Sequence, residues 1–287
     1  VSLVEKAMSR MRPKAADGST EASAAPPVPA EGSSEAARPP NRVTVDINSL
    51  RAGGYLPEES KDRQFADHYR KIKRPLIHKA FASPAAGGAP DPRLIMVTSG
   101  LPGDGKTFTS INLAFSLARE RDVSVLLVDA DLLKPHVSRI LGLRQLPGLT
   151  DALMDDSLSV ESLIVQTNIR GLSLLPAGTP AEGPAELLSS NRMRQITKSL
   201  TANPRCIVLL DSPPLLITSE GPVLAGIAGQ IVLVVRAGQT PRRAVLDAMA
   251  LIDSQRSGGI VLNEARLGVM QGYYYGSYGS YGDAAPP

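Results

Sequence analysis

The chain has 287 residues, which suits one large domain or a domain of about 200 residues with appended arms. Hydrophobic residues make up 43% and charged residues 21%; 31 Lys+Arg against 28 Asp+Glu leave a net charge of +3, so no global basic field points to nucleic acid. One cysteine, Cys206, excludes an intramolecular disulfide framework and a cysteine-built zinc site, and His68, His78 and His136 lack metal-ligand spacing.

In chain order, residues 1–12 read as a short amphipathic helix, with Leu3, Val4, Ala7, Met8 and Met11 at helical spacing. No apolar core followed by a cleavage site opens the chain, and no run approaches the roughly 18 apolar residues of a membrane span. The expectation is an intracellular protein. Residues 13–57 read as a flexible linker, since 13–42 are rich in Pro, Ala, Ser and Glu and poor in large apolar side chains. A second helical stretch over 58–80 is basic, with Lys61, Arg63, Arg70, Lys71, Lys73, Arg74 and Lys79 against Asp62 and Asp67. Pro75 is expected to end or kink it.

From residue 93 short apolar runs alternate with helical periodicity. The runs are Leu94–Thr98, Val123–Val128, Leu172–Leu175, Ile207–Leu210, Ile231–Val235 and Ile260–Leu262, with helices expected near 107–119, 184–200 and 241–256. Near-continuous apolarity suits strands buried on both faces of a parallel sheet. The alternation predicts one α/β domain over 58–265, its mainly parallel sheet covered by helices on both faces. Residues 266–287 form a Tyr/Gly-rich tail.

The strongest motif is Gly100-Leu101-Pro102-Gly103-Asp104-Gly105-Lys106-Thr107, which fits G-x-x-x-x-G-K-[ST] between an expected strand and an expected helix. Gly103 and Gly105 let backbone N–H groups turn inward around phosphate oxygens, and the helix that follows favours negative charge. Lys106 would reach the terminal phosphates, and the Thr107 hydroxyl would ligate Mg²⁺; Phe108 closes the candidate binding stretch. Two later strands end in acids: Val125-Leu-Leu-Val-Asp129-Ala-Asp131 and Ile207-Val-Leu-Leu-Asp211-Ser-Pro-Pro214. Ligands of open α/β sheets bind at the carboxyl ends of the strands, so all three acids should converge on the nucleotide. Asp211 fits a metal-holding role. Of Asp129 and Asp131, one would bind Mg²⁺ while the other accepts a proton from an attacking hydroxyl. Cys206 reads as a small buried hydrophobe, and His136, just after Pro135, as a surface-loop histidine, with a position facing the nucleotide as the alternative.

These residues resemble the bacterial tyrosine kinases built on a P-loop NTPase fold of the MinD-like (SIMIBI) type. The likeness rests on Ser99–Thr107 as Walker A, Leu126–Pro135 as a second Walker element and Ile207–Pro214 as Walker B. It continues through Gly148–Leu153 and Leu175–Pro180. The opening Ser2-Leu-Val-Glu-Lys-Ala and Tyr69-Arg-Lys-Ile-Lys-Arg-Pro-Leu76 look more particularly like the exosortase (XrtA)-associated autokinases of exopolysaccharide clusters. Leu101 stands where the cell-division and partition ATPases carry a lysine, and Leu133 stands where the kinase family commonly carries arginine.

The resemblance implies ATP and Mg²⁺ as cofactors, with Lys106, Asp129, Asp131 and Asp211 catalytic, Asp129 as the base, and Thr107, Asp131 and Asp211 on the metal. It makes Tyr273, Tyr274, Tyr275, Tyr278 and Tyr281 the phosphoacceptors of an autokinase that regulates exopolysaccharide or capsular polysaccharide synthesis. It further implies a ring-like homo-oligomer, with Asp67, Arg70 and Lys73 in the place of the family's Glu-x-x-Arg-x-x-Arg contact motif. The remaining implied partner is a transmembrane chain-length-determinant protein whose cytoplasmic tail activates the kinase and holds it at the inner membrane. Two alternatives stand beside this reading: a MinD/ParA-like positioning ATPase, with water as acceptor, and a nucleotide-responsive scaffold.

Overall fold

The apolar runs of the sequence become the strands of one eight-stranded sheet. The structure, a computed structural model, describes residues 42–82 and 89–265. Its first half runs β1 (Arg42–Val43), α1 (Ile47–Ala52), α2 (Asp62–Phe81), β2 (Leu94–Ser99), α3 (Lys106–Leu117), β3 (Ser124–Asp129), α4 (His136–Ile140), α5 (Leu149–Met154) and β4 (Val165–Thr167). Then follow β5 (Leu172–Leu175), α6 (Pro184–Ser189), α7 (Asn191–Leu200), β6 (Cys206–Asp211), α8 (Glu220–Ile227), β7 (Gln230–Arg236), α9 (Arg242–Ala250) and β8 (Ser257–Asn263). The amphipathic stretch 1–12 and the tail 266–287 lie outside the described residues.

Strand order is β1-β4-β5-β3-β6-β2-β7-β8. Every pairing is parallel except that of β4 with β5. Strand side chains alternate between two cores. Leu94, Met96, Val208 and Leu210 face a core shared with Leu149, Leu188, Met193, Leu224 and Ala248, from α5 to α9. Ile95, Val97, Ile207 and Leu209 face the opposite core, shared with Leu50, Tyr69, Leu76, Ile111 and Val137, from α1 to α4. Burial on both faces explains why these strands read as unbroken apolar runs rather than as alternating ones. Among the described residues no helix is long and apolar enough to cross a membrane.

Four expectations are corrected. The linker reading fails over 42–57, where β1 and α1 form: Asp46 caps α1 by accepting the N–H groups of Asn48 and Ser49, and Leu50 is buried. Asn168 ties this segment to the sheet, accepting from the Val45 N–H at 2.8 Å. Pro75 does not end α2, which runs 20 residues to Phe81. Leu76 and Ala80 remain packed in the core beyond it, and that burial outweighs the missing N–H. The single helix expected over 184–200 is two, because the Ser190 side chain turns back to accept the Met193 N–H and starts α7. The helix expected to 256 ends at Ala250, followed by a 3₁₀ turn at Ser254–Arg256.

Candidate active site

Strands β2, β3 and β6 are neighbours in the sheet, so their carboxyl ends bring Ser99, Asp129 and Asp211 to one edge. Asp129 lies directly opposite Asp211 in the β3–β6 register. Main-chain bonds sew these ends together: Ala130 N–H donates to Asp211 O at 2.8 Å, and Leu215 N–H donates to Ser99 O at 2.8 Å. The P-loop crosses this edge between β2 and α3. Gly103 and Gly105 have φ of +88° and +94°, the left-handed region where a side chain is strained. Pro102, both glycines, Lys106, Thr107 and Phe108 line a cleft of about 310 Å³.

Lys106 is the centre of charge. It is buried, and its Nζ donates to Asp131 Oδ2 at 2.9 Å. Burial alone would lower its proton affinity, but Asp211, Asp131 and Asp129 outweigh that and raise it, so the ammonium stays charged. Thr107 Oγ1 donates to Asp211 Oδ2 at 2.9 Å, and Ser110 Oγ lies 2.8 Å from Asp211 Oδ1. Asp211 is fully buried, and burial pushes its carboxyl up against the opposing pull of Lys106. Asp131 also accepts the Lys134 N–H at 3.1 Å.

Asp129 differs from both. Its Oδ2 accepts the Ser138 N–H at 2.7 Å, while its Oδ1 is buried without a hydrogen-bond partner. Burial, and then the charge of Asp211, push its carboxyl up to about 7. A carboxylate so poised can take or give a proton at neutral pH. Ser138 Oγ in turn accepts the Ala177 N–H at 3.0 Å, tying the start of α4 to the loop after β5.

Among the described residues no group of three or more His, Cys, Asp or Glu side chains could hold a metal ion by itself. The donors present fit Mg²⁺ nonetheless. The Thr107 hydroxyl and the carboxylates of Asp131 and Asp211 are hard oxygen donors, of the sort that share this ion with phosphate. Thr107, Asp131 and Asp211 are the residues that would hold it.

The remaining walls come from elements that composition had hidden. Tyr55, just after α1, lines the cleft; so do Leu133, His136, Arg139 and Ile140 around α4 and Ile217 in the β6–α8 loop. His136 therefore faces the cleft rather than a surface loop, and burial, with Lys106 and Arg139, lowers its proton affinity. Asp104 is turned away from the phosphate cradle and bonded within the protein. Cys206 is half-buried at the start of β6, packed against the core as expected of it.

The expected contact triad does not hold together. Asp67 and Arg70 are exposed and pair with each other at 2.6 Å. Lys73 is 7% exposed and points into its own subunit, donating to Ser116 O and to Glu120 Oε1 at 2.7 Å. The structure adds Ser110, Ser138, Thr240 and Asn263, whose site contacts span up to 159 residues and carry no local signal in sequence.

Comparison with known proteins decides the family. A profile described as ParA, the NUBPL iron-transfer P-loop NTPases, matches residues 92–175. The tyrosine-protein kinase YwqD of Bacillus subtilis (strain 168) is 34% identical over 186 residues, covering 64% of this chain and 77% of that protein. The chain belongs to the bacterial tyrosine-kinase family. It is also 32% identical over 251 residues to the putative tyrosine-protein kinase EpsB of Ralstonia nicotianae, of whose length it spans 32%. The crystal structure of the VpsO kinase domain matches with a TM-score of 0.58 and 29% identity, over 73% of this chain and 100% of that domain. The fold is accordingly that of a P-loop NTPase, and the kinase likeness extends beyond the stretch that the ParA profile matches.

Proposed function

We propose that the chain is an ATP- and Mg²⁺-dependent protein-tyrosine autokinase that phosphorylates its own C-terminal tyrosines. The carrying observation is Asp129, a buried carboxyl poised at about 7, with one free oxygen, beside a P-loop of the tyrosine-kinase family. Bound together, ATP would supply the phosphoryl group and Mg²⁺ would offset the charge that develops on it.

The chain's own residues would divide the remaining work. Gly103 and Gly105 turn the backbone so that N–H groups can meet phosphate oxygens. Lys106, held charged by three carboxylates, exchanges its bond to Asp131 for phosphate. Thr107, Asp131 and Asp211 offer oxygens to the metal. A tyrosine hydroxyl, with an ordinary pKa near 10, keeps its proton at neutral pH; Asp129 would take that proton as the oxygen attacks the terminal phosphorus of ATP, whose bond to the bridging oxygen breaks to release ADP. The acceptors in this reading are Tyr273, Tyr274, Tyr275, Tyr278 and Tyr281.

Relatives named tyrosine-protein kinases, one of them in a cps region, support control of polysaccharide synthesis or export as the purpose. Likeness of Tyr69–Leu76 to exosortase-associated autokinases supports an exopolysaccharide setting. The proposed partners are a membrane chain-length-determinant protein, which would hold the kinase at the inner membrane, and further copies of the chain itself. Asp67 and Arg70 are the contact-motif residues left available to a neighbour.

The match to a ParA profile over 92–175 favours a second reading, a ParA-like ATPase with water as acceptor. Incubation with γ-labelled ATP and Mg²⁺ separates the two. Label retained on the protein supports the kinase; label released only as inorganic phosphate supports the ATPase.

A further inference from the structure

The phosphate cradle is held from behind by two residues that no motif contains. Asp104 lies inside the P-loop, yet it is buried and faces away from the cleft. Its Oδ2 accepts the Leu101 N–H at 3.2 Å, and its Oδ1 accepts the Thr240 hydroxyl at 2.6 Å. Its carbonyl oxygen accepts Asn263 Nδ2 at 3.1 Å. Thr240, in the loop between β7 and α9, is itself fixed, since its oxygen accepts the Arg236 N–H at 2.9 Å. Asn263, the last residue of β8, sits so close to Gly105 that a Cβ there would collide with its side chain.

An acidic side chain in the loop that cradles phosphates is a hazard, because its charge would oppose the ligand's across a few ångströms. Here that charge is turned inward and satisfied by neutral donors. We propose that Thr240 and Asn263 are positioning residues for the nucleotide: Thr240 holds the Asp104 carboxylate turned away and Asn263 holds the Asp104 main-chain carbonyl, so that the P-loop amides and not the carboxylate face the phosphates. Without the Thr240 hydroxyl, the carboxylate loses a buried donor and swings towards the cleft. The inference rests on nucleotide binding as proposed above, and on no later step of the reaction.

The test is ADP binding by titration calorimetry with the full chain, with melting temperature recorded for each protein. Thr240→Val should bind ADP about tenfold more weakly than wild type, the size expected for losing a hydrogen bond to a charged group. Thr240→Ser, which keeps the hydroxyl, should bind like wild type. Adding Asp104→Asn to Thr240→Val should recover most of the loss, because the released side chain no longer carries charge. A purely structural role would lower melting temperature without that recovery. Asn263→Ala removes the tether on the Asp104 main chain and should itself weaken ADP binding should Thr240→Val fail to fold, and wild-type affinity in that folded variant would likewise overturn the proposal. Wild-type affinity in folded Thr240→Val, or a loss that Asp104→Asn leaves untouched, overturns the proposal. Failure of the wild type to bind ADP would instead overturn the nucleotide reading itself.

Discussion

Asp129 carries two separable consequences. The first concerns stability. Its folded-state affinity near 7 stands above its ordinary 3.8, so the folded chain holds a proton that the unfolded chain releases. Its ionisation therefore imposes no penalty on the fold below about pH 4, and the penalty grows as pH climbs to 7, to about 4 kcal/mol above that. In protein free of metal and nucleotide, Asp129→Asn should melt with the wild type at pH 4 and increasingly above it towards pH 8. A gap that is constant with pH would contradict the assignment. The second consequence is chemical: the same variant should slow phosphotransfer by about a hundredfold or more while changing ATP affinity little. Equal losses in affinity and turnover would point to a metal-holding role.

Lys106 extends the argument at the same scale. Sequence alone describes a loop lysine with little around it, whereas the side chain is buried and paired with Asp131. Lys106→Met should abolish autophosphorylation, as measured with labelled ATP, and a folded variant that retains labelling would remove Lys106 from the mechanism. The Walker lysine and the strand-end acids are legible because each belongs to one short, contiguous pattern. Ser138 and Thr240 are not, because what makes them matter is a partner 39 or 136 residues distant.

At the scale of elements, helix α2 shows how tertiary contact overrides local rules. A proline with no N–H to give should break a helix, and Pro75 does not, because Leu76 and Ala80 anchor the turns beyond it. Lys73 belongs to the same face: it joins α2 to α3 through Ser116 O and Glu120. Lys73→Met should therefore lower unfolding free energy by about 1–3 kcal/mol in denaturant titration. An unchanged stability with altered assembly would return Lys73 to the subunit interface. Strands β2, β3, β5, β6, β7 and β8 were legible from apolar runs. The two-residue β1 and three-residue β4 were not, since pieces so short depend on their neighbours for any pattern. Helix α1 was hidden by averaging Pro- and Ala-rich composition across a segment that ends in Val43, Val45, Ile47 and Leu50.

For the whole molecule, a sheet whose central strands are buried on both faces leaves its carboxyl edge as the place where acids and P-loop meet, while β8 at the sheet's margin exposes Ile260 and Leu262, and the tyrosine-rich residues follow β8 in the sequence. If tyrosines of one copy enter the site of the next, a head-to-tail contact can close into a ring. Each phosphate adds about −1.5 to −2 charge at neutral pH, so phosphates on a short tail would repel one another and the carboxylate-rich site. Unphosphorylated protein should then form larger particles in light scattering than phosphorylated protein, with the membrane partner's cytoplasmic segment present. Identical masses would contradict charge-driven disassembly while leaving the kinase reading intact. The most direct measurement of that reading is phosphosite mapping by mass spectrometry after incubation of the full chain with ATP and Mg²⁺, with Lys106→Met as control. The account predicts phosphate on residues among Tyr273, Tyr274, Tyr275, Tyr278 and Tyr281 in the wild type and none in the variant. Steady ATP hydrolysis with every tyrosine unmodified would contradict it.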